Sequence, residues 1–421
     1  MLTDVLLPSP PLRQGATGSS LQPRALSKAR LSRLRATLER HVHRGEVPGL
    51  VALVDFGGRE HAEVLGTMAY GGSVPMKRDT IFRLASTTKP ITAAGAMVLV
   101  EECRLRLDDP LDEWLPEIRD RRVLRTLESP LDDTVPAARS ITLRDLLTFR
   151  SGYGEAAFLS PGCPFQQALS AAHLSLAEWP FGGTPDEFMK RLGELPLLHQ
   201  PGERWLYHTS GEILGVLIAR VSGMTLGEFL HERIFEPLGM AQTGFSVPRA
   251  ALDRLPPCYG RDLSTGKMGA LFEAGSGYPA APPPFESGAG GLVSTADDLR
   301  AFGRMMLAGV DGEGGKVLSR PTIDLMVRDH LTAGQKAASP FFPGFWDTYG
   351  WGLGLAVTTA HADIGIVPGR FGWDGAFGTS LWMDPRRDLV GVLLMQRRPD
   401  QFELPLVARD FWTSVYQLIG S

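Results

Sequence analysis

The sequence predicts an α/β fold in which an antiparallel sheet, flanked by an N-terminal and a C-terminal helix, carries an inserted, mostly helical domain. Strand-like segments occur near both ends of the 421-residue chain, and helical pieces separated by Pro- and Gly-rich loops fill its middle. We therefore expect a discontinuous α/β domain made of residues 1–104 and 285–421, with a helical domain inserted at 105–284. An active site would then lie in the cleft between the two units.

The N-terminal part of the chain indicates one helix followed by a hairpin. From Ser27 to about Glu46, Leu31, Leu34 and Leu38 recur at the spacing of one helix face, and arginines occupy the other faces. The next run, VPGLVALVDFGGREHAEVLGTMAYGG, alternates apolar stretches with Gly-Gly turn signals, which is typical of an antiparallel hairpin or meander. We expect this amphipathic helix to pack on an apolar surface.

The middle of the chain is predicted to be helical, and strands return after it. Between about Leu105 and Pro284, segments such as SITLRDLLTFRSG and SGEILGVLIARVSGMTLGEFLHERIFEPLGM have helical patterns. Ser294 or Thr295 then caps another helix. Strand signals follow in YGWGLGLAVTT, RFGWDGAFGTSLWMDP and DLVGVLLMQRR, and a last amphipathic helix is expected from Leu404 to Ile419.

Composition argues against several classes of function. A formal net charge of -4 offers no basic excess to a polyanion, so we expect a small neutral substrate and no nucleic acid. Cys103, Cys163 and Cys258 are odd in number and lack C-x-x-C spacing, so neither a disulfide framework nor a zinc site is expected. No P-loop and no G-x-G-x-x-G after a strand occurs, and we expect no metal and no cofactor. Residues 1–20 do not resemble a signal peptide, and no apolar run approaches the roughly 18 residues that span a membrane. We expect a soluble, cytoplasmic enzyme with no membrane partner.

The segment FRLASTTKPITAAGAMVLVEE places a hydroxyl and an amine three residues apart at the start of a long apolar run. Positions i and i+3 share one helix face, so Ser86 and Lys89 would lie side by side, as a nucleophile and its base do. Pro90 fits only an early helical turn, which places Ser86 near the helix N-terminus, where backbone N–H groups are free. The alternative is that Ser86 and Thr87 only cap the helix while Lys89 extends to water.

Other catalytic signatures are weak or missing in the sequence. A second S-x-x-K match, from Ser264 to Lys267, sits among glycines with no periodic run after it, which is typical of a surface turn. No G-x-S-x-G occurs, so the nucleophile elbow of common esterases is missing. HERIF at His231 lacks the second histidine of H-E-x-x-H, which leaves no pattern for metal-dependent hydrolysis.

A serine hydrolase that uses lysine as its base also needs a proton shuttle and oxyanion donors. In QPGERWLYHTSGEILGVLI, Tyr207 stands in a Pro-Gly loop directly before an apolar helix, from which its hydroxyl could enter a cleft. In FGWDGAFGTSLWMDP, glycines mark a strand that another molecule can approach closely. The alternatives are that Tyr207 is only a structural hydrogen-bond donor and that Trp373 is a core aromatic residue.

The order STTK, YHT and WDG, with LLTFRSG, QPGERWLYHTSGEILG and GAGGLVSTADDL between them, resembles the serine β-lactamase and penicillin-binding protein-like fold. Within it the chain is most similar to the family VIII carboxylesterases, relatives of class C β-lactamases and DD-peptidases, from about Ser27 onward. The resemblance implies a serine carboxylic ester hydrolase that forms an acyl-enzyme with neutral, short-chain esters. A β-lactamase, a D-aminopeptidase or amide hydrolase, an acyltransferase and a catalytically silent binding protein remain alternatives.

The resemblance also implies roles for three side chains. Ser86 would be the acylated nucleophile, and Lys89 would be its base or would hold the proton network. Tyr207, at the tyrosine of the family's Tyr-x-Asn motif, would be the relay that protonates the leaving group. Burial at the start of an apolar helix would lower the pKa of Lys89, because burial disfavours the charged amine. The amine would then be a usable base near neutral pH.

Four further positions, together with the Ser86 backbone, complete the implied site. The backbone N–H groups of Ser86 and Ala376 would form the oxyanion hole, with Gly375 beside them. Trp373 stands where the family usually has a lysine, and Thr209 stands where many β-lactamases have asparagine. We expect Thr209, Trp373 and Gly375 to contact the substrate, and the two replacements to disfavour β-lactam hydrolysis.

Overall fold

The computed structural model describes residues 26–155, 160–262, 265–309, 317–400 and 404–419. The strands are β1 (Gly49–Phe56), β2 (Arg59–Gly66), β3 (Phe82–Arg83), β4 (Arg122–Leu124), β5 (Thr134–Pro136), β6 (Cys258–Arg261), β7 (Met268–Phe272), β8 (Val293–Ser294), β9 (Tyr349–Trp351), β10 (Ala356–Thr358), β11 (Phe371–Gly375), β12 (Thr379–Asp384) and β13 (Leu389–Met395). The helices are α1 (Lys28–His43), α2 (Thr88–Glu101), α3 (Leu143–Leu147), α4 (Pro164–Ala171), α5 (Pro185–Gly193), α6 (Thr209–Ser222), α7 (Leu226–Leu230), α8 (Glu236–Leu238), α9 (Ala296–Ala308), α10 (Arg320–Met326), α11 (Ala333–Ala337), α12 (Phe345–Thr348) and α13 (Leu406–Ile419).

Seven strands form one antiparallel sheet in the order β2-β1-β13-β12-β11-β10-β9. Strand β1 lies between its hairpin partner β2 and the distant β13, with Val51 opposite Val64 on one side and Leu394 on the other. All seven strands come from the segments 49–66 and 349–395. The large antiparallel sheet and its helices confirm the predicted α/β fold class.

Both faces of the sheet are covered, because successive side chains of a strand point to opposite faces. In β1, Val51 and Leu53 belong to one buried cluster, which includes residues of α2 and α9, whereas Leu50 and Ala52 belong to the cluster that contains α1 and α13. The uninterrupted apolar run of β1 therefore reflects burial on two sides.

Helices α1 and α13 pack against each other, and the predicted apolar stripe of α1 faces inward at Leu34 and Leu38. The His41 ring links α1 to α13, because its Nε2 lies 2.8 Å from the Asp410 carboxylate on α13. Its Nδ1 lies 2.6 Å from the carboxylate of Glu46, which follows α1. Helix α1 ends at His43, before the predicted end near Glu46. Helix α13 begins at Leu406, two residues after the predicted start at Leu404.

The segment predicted as a helical domain contains helices α3 to α8, and α6 is buried along most of its length. It also contains two small sheets, β4 with β5 and β6 with β7, which the sequence patterns did not predict. Strand β7 is only five residues long and largely exposed, although its sequence, MGALF, is apolar. Of the second S-x-x-K match, Lys267 directly precedes β7, and Ser264 lies outside the described residues.

Among the described residues, no single helix is long and apolar enough to cross a membrane. Helix α6 and residues Leu226–Leu238 together have the length and composition of a membrane span, but the two segments are bent by 80° relative to each other.

Helix α2 is held against the segment between β9 and β10. Gly354 adopts φ +78, and its backbone N–H donates to the Leu147 carbonyl at 2.7 Å. A Cβ at this position would lie 2.3 Å from the Ala93 Cβ on α2. Close approach of backbone to helix therefore requires glycine here.

We expect Gly354→Ala to destabilise the fold by about 1–3 kcal/mol, because the added methyl group overlaps α2 and the backbone conformation disfavours a side chain. Urea unfolding of the purified variant measures the loss. Gly45→Ala is the matched control, since Gly45 has φ +69 but a Cβ there would have nothing within 4 Å. Equal losses in the two variants would show that the contact with α2 contributes nothing.

Candidate active site

The candidate nucleophile Ser86 lies on a tight turn between β3 and α2. A 3₁₀ turn covers Ala85–Thr87, and the α-helix begins only at Thr88, so Ser86 precedes the regular helix. Ala85 adopts φ +47, a costly conformation for a residue with a Cβ and one that recurs at functional sites. Ser86 remains partly exposed on this turn, where a substrate can reach it.

The end of β11 is pressed against the same turn. The Thr379 hydroxyl donates to the Leu84 carbonyl oxygen at 2.7 Å. A Cβ on Gly375 would come within 2.1 Å of that oxygen, so this close approach requires glycine. Ala376 follows directly and is exposed. The turn of Ser86 and the residue predicted to supply the second oxyanion N–H therefore belong to elements in direct contact.

The Lys89 amine is buried beside the nucleophile. Its Nζ lies 2.9 Å from Ser86 Oγ, 2.6 Å from the Ala289 carbonyl oxygen and 3.3 Å from His208 Nδ1. Burial lowers the pKa of Lys89 to about 7, and the nearby Glu212 carboxylate opposes this change. A substantial fraction of Lys89 is therefore a neutral amine near pH 7, which can accept a proton.

The Tyr207 ring packs against this amine. The centre of its ring is 4.7 Å from Lys89 Nζ, and its oxygen accepts a hydrogen bond from the Trp373 indole N–H at 2.8 Å. Burial raises the pKa of Tyr207 far above its usual value, although hydrogen bonding to Ser86 and Trp373 opposes the rise. Tyr207 is therefore a neutral phenol that can donate its proton.

The family model for Beta-lactamase matches residues 34–409. This chain belongs to the Beta-lactamase family. Protein Rv1367c of Mycobacterium tuberculosis is 40% identical to it over 80% of this chain and 82% of its own length. Esterase EstB of Burkholderia gladioli is 30% identical over 93% of this chain and 97% of its own. Unliganded simvastatin synthase (LovD) of Aspergillus terreus has the same fold, with a TM-score of 0.74, 21% identity, and coverage of 93% of this chain and 98% of that one.

Aromatic rings surround the site of this Beta-lactamase family member. The Tyr207 ring packs on Trp205, Phe341 and Trp373, with ring centres 5.6, 5.0 and 5.9 Å away. Beyond the turn of the nucleophile, Phe377 belongs to the buried cluster that contains the residue before Ser86. The Tyr207 side chain therefore lies among aromatic rings, whereas the neighbours of the Lys89 amine are polar.

The predicted substrate-binding residues differ in what they contact. The Trp373 indole N–H donates to the Tyr207 oxygen, and the Trp373 side chain is buried within an aromatic cluster. Thr209 is the first residue of α6, is buried, and donates its backbone N–H to the Tyr207 carbonyl at 3.3 Å. Its neighbour His208 has a side chain within hydrogen-bond distance of Lys89.

Two functional candidates, His208 and Glu212, were not predicted from the sequence. His208 occupies the middle of the YHT segment, which the motif treats as variable. Glu212 is a fully buried carboxyl group inside an apolar helix pattern, and it contacts the His208 ring at 3.0 Å. A charged residue at an inward-facing helix position is the sequence signal that could have identified it.

A fluorophosphonate probe should label Ser86, with a rate that falls about tenfold per pH unit below pH 7 and levels off above it. The reason is that Lys89 accepts the serine proton only as a neutral amine. Intact-mass analysis over a pH series measures the rate. Ser86→Ala should remove the label, and Lys89→Arg should nearly remove it because a guanidinium group does not deprotonate in proteins. Labelling that is independent of pH between about 5 and 8 would contradict the role of Lys89.

Proposed function

We propose that this protein is a serine carboxylic ester hydrolase of the family VIII type, which acts through an acyl-enzyme on neutral, short-chain esters. The observation that carries the proposal is the 2.9 Å contact between Ser86 Oγ and Lys89 Nζ, made where burial brings the pKa of Lys89 to about 7. Similarity to Esterase EstB over most of both chains supports the same class of reaction.

In the acylation step, Ser86 Oγ bonds to the ester carbonyl carbon while its proton passes to Lys89 Nζ. The carbonyl oxygen becomes an oxyanion, which the backbone N–H groups of Ser86 and Ala376 stabilise. The carbon–oxygen bond to the alcohol then breaks, and the Tyr207 hydroxyl protonates the departing alkoxide. The proton held by Lys89 replaces the one that Tyr207 gave up, so the enzyme returns to its starting charge.

In the deacylation step, a water molecule attacks the acyl carbon and gives a proton to Lys89. The bond to Ser86 Oγ breaks, and that oxygen takes the proton back, which releases a carboxylic acid and restores the serine. During acylation, the hydrogen bond from the Trp373 N–H to Tyr207 stabilises the phenolate that forms transiently on the relay. If an alcohol replaces the water, the same steps transfer the acyl group to it.

Preference for neutral esters follows from what surrounds the nucleophile. A lysine at position 373 would give a substrate carboxylate a charge-assisted contact, which Trp373 cannot provide. Its ring and the neighbouring Tyr207 and Phe341 favour an uncharged acyl or alcohol group instead.

The enzyme should hydrolyse p-nitrophenyl acetate or butyrate with a kcat/KM about 10- to 150-fold above that for a chromogenic cephalosporin. This ratio corresponds to the loss of one charge-assisted hydrogen bond of about 1.5–3 kcal/mol. Both substrates are assayed on one preparation, with Ser86→Ala as the blank. A cephalosporin value equal to or above the ester value would replace the esterase proposal with a β-lactamase using the same residues.

Tyr207→Phe should lower kcat by about 10²–10⁴ for esters with alkyl leaving groups, because an alkoxide requires protonation. The loss should be smaller for p-nitrophenyl esters, whose leaving group is stable as an anion. Tyr416→Phe is the matched control, since Tyr416 is also buried and bonds Asp384 at 3.0 Å in the sheet region. If the loss did not depend on the leaving group, Tyr207 would not be the proton relay.

A further inference from the structure

A buried histidine and glutamate lie directly behind the Lys89 amine. His208 is 3% exposed and Glu212 is fully buried, and both lie at the start of α6. The His208 ring reaches Lys89 Nζ with Nδ1 at 3.3 Å and Glu212 Oε1 with Nε2 at 3.0 Å. The imidazole therefore connects the base of the proposed reaction to a carboxyl group.

The partners of Glu212 determine which histidine nitrogen carries the hydrogen. The Ala289 backbone N–H can only donate, and it reaches Oε2 at 3.3 Å. The Ser287 hydroxyl accepts from the Trp179 indole at 3.2 Å and donates to Oε1 at 2.7 Å. Glu212 thus acts as an acceptor toward each of these neighbours, which places the hydrogen of neutral His208 on Nε2 and leaves Nδ1 as an acceptor.

This arrangement satisfies Lys89 in both of its protonation states. The Ala289 carbonyl oxygen and His208 Nδ1 are acceptors, so they take the two N–H bonds of the neutral amine and leave its lone pair for the Ser86 hydroxyl. After proton transfer, the three N–H bonds of the ammonium group match the three acceptors. With the opposite tautomer, the Nδ1 hydrogen would compete with Ser86 for the lone pair.

We propose that His208 and Glu212 are positioning residues that direct the lone pair of Lys89 toward Ser86 by holding His208 Nδ1 as an acceptor. This inference rests on the proposed function, in which Lys89 is the base. Glu212 selects the tautomer, and the ring transmits that selection to the amine. Neither residue contacts the substrate in this scheme.

The local backbone maintains this geometry. His208 adopts φ +82 and ψ −65 directly before α6, a conformation that non-glycine residues rarely occupy. The loop that carries Ser287 and Ala289 packs closely against α6. A Cβ on Gly288, between these two residues, would come within 2.6 Å of the Gly211 carbonyl oxygen. Both sides of the Glu212 carboxylate are thereby fixed.

Several titratable groups face this pair. Lys89 on α2 interacts with both residues, and burial together with its charge lowers the pKa of His208, which keeps the ring neutral. Tyr278 approaches Glu212 from the segment after β7, and burial raises the pKa of that phenol. Tyr207 lies beside Lys89, and the charge of Asp374 on β11 contributes to the raised pKa of Tyr207. Among these groups, Glu212 is the one whose charge raises the pKa of Lys89.

The first test is the pH profile of kcat/KM for Glu212→Gln with p-nitrophenyl butyrate. The glutamine amide can donate to His208 Nε2 and thereby allow the tautomer that carries its hydrogen on Nδ1. The plateau of kcat/KM should therefore fall about 10- to 100-fold. The acidic limb should also move to lower pH, because the carboxylate that raises the pKa of Lys89 is gone. Glu63→Gln is the matched control, since Glu63 contacts His61 at 2.7 Å on the edge strand β2 and should leave the profile unchanged.

The second test compares His208→Asn with His208→Leu and is decisive even if Glu212→Gln does not fold. Asparagine tolerates positive φ and offers an oxygen near the position of Nδ1, so its kcat/KM should stay within about tenfold of the parent. Leucine has similar bulk and no acceptor, and should lose about 100-fold. Folded fractions are measured by circular dichroism.

Ser86→Ala in the same series separates the proposed function from the role of His208. Activity or probe labelling that survives in Ser86→Ala would overturn the proposed function. If Ser86→Ala is inactive but the Asn and Leu variants are equally active per folded molecule, only the role of His208 fails. An unchanged plateau and acidic limb in folded Glu212→Gln would likewise overturn the tautomer selection alone.

Discussion

Burial of one amine is the constraint on which the rest of the site depends. Lys89 has three hydrogen-bonding neighbours, and they come from three separate parts of the chain: the turn before α2, the start of α6 and the loop before β8. An unpartnered buried amine is costly, so each of these segments must be in place for Lys89 to remain inside. The reactive geometry is therefore a product of long-range packing rather than of the S-x-x-K motif alone.

The same burial supplies the chemical function and imposes a cost. Lowering the pKa of Lys89 from 10.5 to about 7 corresponds to a differential free energy on the order of 5 kcal/mol between the two protonation states. Further unfavourable features lie beside it, including the positive φ angles of Ala85 and His208. A chain with a large two-sided core can tolerate this local destabilisation, and its concentration around one serine is typical of an active site.

Much of the architecture could be predicted because buried helix faces and buried strands give recognisable apolar patterns in the sequence. Strands covered on both faces, such as β1 and β13, read as apolar runs, and Ser86, Lys89 and Tyr207 stand in motifs whose order is recognisable. The role of His208 was not predictable, because it depends on a backbone conformation that nothing in YHT reports. The hydrogen bond from Trp373 to Tyr207 was not predictable either, because it joins residues that are 166 positions apart in the sequence. Short strands such as β7 were missed because an apolar run of five residues does not by itself distinguish a strand from a helical segment.

The pairing of β1 with β13 bears on the order in which the molecule can be completed during synthesis. Residues 49–56 leave the ribosome early, yet one edge of that strand has no partner until residues 389–395 have followed. The S-x-x-K turn is likewise made long before β11, the strand that closes over it. A product released before β13 would contain every side chain proposed above to be catalytic, together with an open apolar strand edge that favours association with other chains. Complete translation is thus a condition for avoiding aggregation as well as for turnover.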